Sequence, residues 1–142
     1  MYKYADLYYI CWLIEGAGRA FAMPRKDVLN RMGKERVRNY MRFADVFHCE
    51  NPDKIIGELA DELGIAFTNE HSNKKQPGQP SQRQMAGVYA RIIKRTYASD
   101  YEKGVFEFFN SFLPPILLDY KNELYWSSMH HLSESYKEGK IL

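Results

Sequence analysis

Leu7, Ile10, Cys11, Ile14 and Ala17 recur at spacings of three and four, which places them on one face of an α-helix. Tyr4, Tyr8, Trp12 and Glu15 form a second stripe beside them. The apolar arc is wide, so a helix from Lys3 to about Phe21 is predicted to lie centrally in the fold. The run GAG at 16–18 weakens its end, because glycine costs about 1 kcal/mol relative to alanine in a helix interior.

Pro24 suits the first turn of a following helix. PRKDVLNRM is predicted to be short and to stop at Gly33, a residue type common at helix ends. The next helix runs from Lys34 to about His48. Val37, Tyr40, Met41, Ala44 and Phe47 face inward by spacing, with Phe43 close to that arc. Asn51 then serves as N-cap, Pro52 enters the first turn, and Asp53 suits the positive end of the helix. Ile55, Ile56, Leu59, Ala60 and Leu63 make the buried face, and Gly64 closes it.

Residues 68–84, TNEHSNKKQPGQPSQRQ, contain no aliphatic or aromatic side chain. Such a stretch reads as a flexible polar linker. It divides the chain into an N-terminal lobe, 1–67, and an aromatic-rich C-terminal lobe, 85–142. Helical spacing resumes with Met85, Val88, Tyr89, Ile92 and Ile93 over Gln84–Tyr97. Ser99 or Asp100 caps DYEKGVFEFFNSFL, whose Phe106, Phe108, Phe109 and Phe112 leave little polar face. Pro114 and Pro115 are predicted to end it. ILLDYKNELYW and SSMHHLSESYKEG give a short helix and a last one, closed by Gly139. No strand alternation longer than about four residues and no repeat period is present. The fold class is therefore all-α: an irregular bundle of six to eight helices in two small lobes joined by a polar linker.

Composition narrows the function. The 142 residues are 45% hydrophobic and 27% charged, as in an ordinary globular protein, and unusually aromatic at 15%. Net charge is +2; residues 1–67 hold ten Lys/Arg against ten Asp/Glu. A dedicated nucleic-acid binder carries a larger excess. The two cysteines, Cys11 and Cys49, are expected as free thiols in a reducing, cytoplasmic setting. The N-terminal apolar run is broken by Asp6 and Glu15, so neither a leader nor a membrane span is predicted.

No phosphate loop, dinucleotide fingerprint, nucleophile elbow or metalloprotease motif is present. GAG follows a helix rather than a strand and lacks a further glycine at the needed offset. His48 and Cys49 are adjacent and so diverge by about 100° on a helix, which disfavours a shared metal. A Cys49 nucleophile would need a distant base among His71, His130 and His131. Glu134 follows His130 by four residues and His131 by three, a spacing that suits a surface hydrogen bond. Glu58, Asp61 and Glu62 read as a solvated face. No cofactor or metal is expected, and nothing demands an enzyme.

The remaining feature is the pair at 24–48, with eight cationic or histidine side chains. A helix-turn-helix reader needs two crossed helices and a short turn, with basic or polar residues early on the second helix. Lys34, Arg38 and Arg42 form an i, i+4, i+8 stripe, with Arg31 nearby. These four are the candidate contacts with a partner protein or with nucleic acid. Asp27, Glu35 and Asp45 partly neutralise them, and an acidic partner protein fits the balanced charge.

Residues 6–65 resemble a family of small helical bacterial proteins of unknown function. Val28 and Leu29 match its "dVl" helix, and Tyr40, Asp45, Val46 and His48 match its Y-x-x-(D)-V-x-H segment. Members are often encoded beside putative toxin genes. The resemblance implies a toxin–antitoxin or defence-linked accessory role and brings no catalytic residue. It leaves the last 77 residues unaccounted for. The expected function is a non-enzymatic protein-interaction module, antitoxin-like or defence-linked. The alternative is a helix-turn-helix DNA regulator using residues 31–42, with a Cys49-dependent enzyme as a third reading. Oligomeric state is left open.

Overall fold

The computed structural model describes residues 2–66, 79–118 and 128–140. These residues form α-helices and no strands, in line with the all-α expectation: α1 (Tyr4–Phe21), α2 (Arg25–Arg42), α3 (Ala44–Phe47), α4 (Pro52–Leu63), α5 (Gln82–Thr96), α6 (Tyr101–Phe109), α7 (Leu113–Leu118) and α8 (Met129–Glu138). Residue 67 and residues 68–78 of the expected linker, His71 among them, lie outside the described residues. So does most of the short helix expected over 116–126.

α1 is the central helix, as its wide apolar arc requires. Leu7, Ile10, Cys11, Leu13, Ile14 and Ala17 are all fully buried. The helix packs against α2, α3, α4, α5 and α6. Its first turn is closed by the Asp6 carboxylate, which accepts from the Lys3 backbone N–H at 2.8 Å. At its end Ala22 adopts a left-handed conformation, φ 51°, ψ 50°. That turn lets the Met23 N–H donate to the Gly18 carbonyl at 3.0 Å.

α2 carries the break that Gly33 foreshadows, in a different form from the one expected. Gly33 sits at φ 75°, ψ 170°, and helix continues on both sides of it. This region is essentially restricted to glycine. The turn is thus one residue and not the three or four of a helix-turn-helix. Val28, Leu29, Met32, Val37, Tyr40 and Met41 are buried as their spacing requires. The helix expected to run to His48 stops at Arg42. Phe43 leaves helical geometry at φ −109°, ψ 25°, and α3 restarts the turn. Phe43 consequently faces solvent, 45% exposed, beside Val46 at 59%.

The polar stretch regains structure before residue 84. Ser81 caps α5 in a reciprocal pair: the Gln84 N–H donates to Ser81 Oγ at 3.1 Å, and the Ser81 N–H donates to Gln84 Oε1 at 2.7 Å. Gln82 is therefore helical, two residues earlier than predicted. α5 lays Met85, Ala86, Tyr89, Ala90 and Ile93 against the core and packs on α1, α6 and α8. Residues from both sides of the polar stretch share one continuous core. The division into two lobes is therefore not how the chain buries its apolar surface: α1 alone exposes too wide an arc for α2–α4 to cover, and α5 supplies the missing partner.

Asp100 caps α6, its carboxylate accepting from the Lys103 N–H at 3.1 Å. Phe108 and Phe109 meet Tyr89 at ring-centroid distances of 5.6 and 5.1 Å. α6 ends at Phe109, four residues short of the expected stop. Pro114 and Pro115 lie in the first turn of α7, where a missing N–H costs nothing. The proline pair opens a helix and does not close one.

Candidate binding cleft and the buried carboxylate that frames it

One carboxylate in the apolar arc of α1 is fully buried. Glu15 has no solvent exposure, and both of its oxygens are saturated. Oε1 accepts from Arg25 Nε at 3.0 Å and from the Tyr89 hydroxyl at 2.8 Å. Oε2 accepts from Arg25 Nη2 at 2.8 Å and from Arg19 Nε at 2.7 Å. Burial pushes this carboxyl up, but hydrogen bonds and charge from Arg25 and Arg19 reverse the effect and hold it below the usual glutamate value. Burial of the Tyr89 phenol, with Glu15 beside it, outweighs the lowering charge of Arg25 and drives it well above its ordinary value. Each of these side chains has a partner. The cluster ties α1, α2 and α5 together.

The GAG run explains how these groups fit. A Cβ on Gly18 would lie 2.4 Å from Arg25 Cδ, and one on Gly16 would lie 2.3 Å from Gln82 Nε2. Gln82 donates across that gap to the Trp12 carbonyl at 2.8 Å. Arg19 also donates to the Pro80 carbonyl at 2.7 Å. The glycines that weaken the helix by propensity thus admit the side chains that lock it to α2 and to the start of α5.

With α1 fixed in this way, its Tyr8–Tyr9–Trp12 edge walls a cleft of about 440 Å³ against α3 and the start of α4. Tyr8, Tyr9, Trp12, Phe47 and Ile55 supply its apolar surface, and Asp6, Asp45, Glu50 and Arg83 its charged lining. Tyr9 and Trp12 stack at 5.8 Å with planes 26° apart. Phe47 is backed by Tyr40 at 4.8 Å. The Tyr9 hydroxyl is buried and has no hydrogen-bond partner among the described residues. Burial, with Tyr40 and Glu50 nearby, raises its pKa strongly. Tyr40 is pushed up to about 12, chiefly by burial. Pockets of this size, mostly apolar with a few polar groups, are the usual form of a binding site.

The basic stripe lies elsewhere. Arg31, Lys34, Arg38 and Arg42 are all exposed. The last three follow one another along the segment of α2 after Gly33, and Arg31 lies before the break. Arg38 is engaged: its Nε donates to Glu102 of α6 at 2.7 Å. Among the described residues Arg31, Lys34 and Arg42 form no ion pair.

His48 and Cys49 are both exposed, with Cys49 Sγ 3.7 Å from His48 Nε2. His48 Nδ1 lies 2.9 Å from the Ala44 carbonyl, and the thiol donates to the Asp45 carbonyl at 3.5 Å. Among the described residues no third side chain hydrogen-bonds to this pair. Neither cysteine forms a disulfide. Glu134 pairs with Lys137 at 3.7 Å rather than with either neighbouring histidine. Glu62 and Glu58 are taken by Arg36 and Lys54, at 3.4 and 3.9 Å. No group of three or more His, Cys, Asp or Glu converges on a metal position among the described residues. No described helix is long and apolar enough to cross a membrane.

The wall residues of the cleft are legible as helix faces but the cleft is not, because its two sides come from segments at least 32 residues apart. It also missed the Glu15 cluster. A lone carboxylate inside an apolar arc, with an arginine four residues on, was the available signal. Comparison with protein-family models, with curated proteins and with solved structures finds no match to this chain.

Proposed function

We propose that this chain is a non-enzymatic protein-interaction module of an antitoxin-like or defence-linked kind, working in a reducing, cytoplasmic compartment. The observation that carries the interaction role is the aromatic cleft between α1, α3 and α4. Three carboxylates and one arginine line it, so the surface it complements is a positively charged one on a partner protein. The resemblance of residues 6–65 supplies the biological setting, and the two free thiols support the compartment.

The test is partner binding by the intact chain and by variants. A protein captured from the native host is identified, purified and rebound. Phe47→Ala combined with Asp45→Lys is expected to weaken binding at least tenfold, and Arg31→Ala with Lys34→Ala and Arg42→Ala to leave it within twofold. Equal affinity for the cleft variant and the parent chain would overturn the proposal.

DNA binding is the second reading. The exposed Arg31, Lys34 and Arg42 favour it. The Arg38–Glu102 pair and the one-residue break at Gly33 weigh against it. It predicts salt-dependent binding to the protein's own upstream DNA that falls when the three cations are removed.

A further inference from the structure

We infer that the side chain anchoring the partner in this cleft is an arginine; the inference rests on the docking role proposed above and specifies its chemistry. The cleft makes two demands at once. The half-buried Trp12 ring, backed by Tyr9 at 5.8 Å, offers a planar, negatively polarised face. Asp6, Asp45 and Glu50 place three carboxylates in the lining, against the Arg83 guanidinium and the His48 imidazole.

An aliphatic anchor answers only the first demand. A lysine ammonium is a compact, strongly hydrated charge that is costly to strip of water over rings. A guanidinium answers both, because it stacks flat on an aromatic face and carries five N–H donors in a fixed fork. Its stem is apolar and suits the walls of Phe47 and Ile55. The carboxylates are accessible to it. Asp45 is exposed and has no ion pair among the described residues. Glu50 is held by Lys54 at 3.1 Å, on a lysine side chain 59% exposed, and such surface pairs are weak enough to exchange. Asp6 spends one oxygen on the Lys3 N–H and retains the other.

The experiment is a nuclear magnetic resonance titration of the whole chain with N-acetyl-arginine amide. N-acetyl-citrulline amide, the neutral analogue of the same shape, and N-acetyl-leucine amide are the controls. Arginine amide is expected to shift the Trp12 indole and Ile55 amide signals with a Kd of about 1–10 mM, at least tenfold below that of citrulline amide. Asp45→Asn with Glu50→Gln, both at the solvent side, should reduce arginine to the citrulline level. Glu35→Gln with Glu102→Gln, on the opposite basic face, should leave it unchanged. Equal binding of arginine and citrulline, shifts centred on the α2 stripe, or no shift up to about 50 mM would each overturn the arginine anchor. A preference for leucine amide would also overturn it while leaving the docking role intact. Loss of partner capture without loss of arginine binding would do the reverse.

Discussion

Arg25 reaches Glu15 across the bare edge of Gly18, its Nε and Nη2 lying 3.0 and 2.8 Å from the two carboxylate oxygens. The contact is a two-pronged fork, and it exists only because residue 18 has no side chain. Gly18→Ala is expected to displace Arg25 and destabilise the protein by about 3 kcal/mol, the scale of a broken buried ion pair. Gly16→Ala displaces only the amide end of Gln82 and should cost about 1 kcal/mol, the worth of one hydrogen bond. Urea unfolding checks both. The sign is informative, because helix propensity alone predicts that each alanine stabilises by up to about 1 kcal/mol.

Acid should reveal the same carboxylate. Glu15 titrates below the unfolded glutamate value in the folded chain. The stability it contributes is therefore complete above the unfolded value, near pH ~4.3, and is lost as pH falls through the lower folded value. Glu15→Gln should be less stable than the parent at pH 7 and should flatten this acid limb. Thermal melts between pH 7 and pH 2 measure it, and parallel limbs for the two proteins would remove Glu15 from the account.

Ala22 is the one described non-glycine residue at positive φ. A left-handed conformation costs a non-glycine residue about 1–2 kcal/mol, and the added freedom of glycine in the unfolded chain returns about 0.5–1 kcal/mol of that. Ala22→Gly should therefore raise stability by up to about 1 kcal/mol. A calorimetric Tm that falls instead would contradict the strain at this turn.

The stripe on α2 should be quiet. Arg38 and Glu102 form an exposed pair, and such pairs contribute little. Glu102→Gln is expected to leave both Tm and partner affinity unchanged. A large gain in DNA affinity on freeing Arg38 would restore the nucleic-acid reading.

The helices themselves were legible in the sequence because their causes are local. Val28, Leu29, Val37 and Met41 announce a buried face by spacing, and Asn51 and Asp100 announce their caps by side-chain chemistry. The errors came where distant chain decides. The single core is hidden because nothing near Glu15 says that Tyr89, 74 residues on, will meet it. Phe43 lies near the buried arc on an unbroken helix, but the backbone leaves helical geometry there and exposes it. Pro114 and Pro115 suggest a stop by sequence, although the same ring geometry serves a start. The four cations were visible as a pattern, but Glu102, which engages one of them, lies 64 residues away.

The central claim is that a partner protein seats in the α1–α3–α4 cleft. Amide hydrogen exchange of the intact chain, alone and saturated with its purified partner, tests it most directly. The account predicts new protection at residues 5–12 and 44–55, with residues 31–42 unchanged. Protection centred on residues 31–42, with the cleft unaltered, would contradict it.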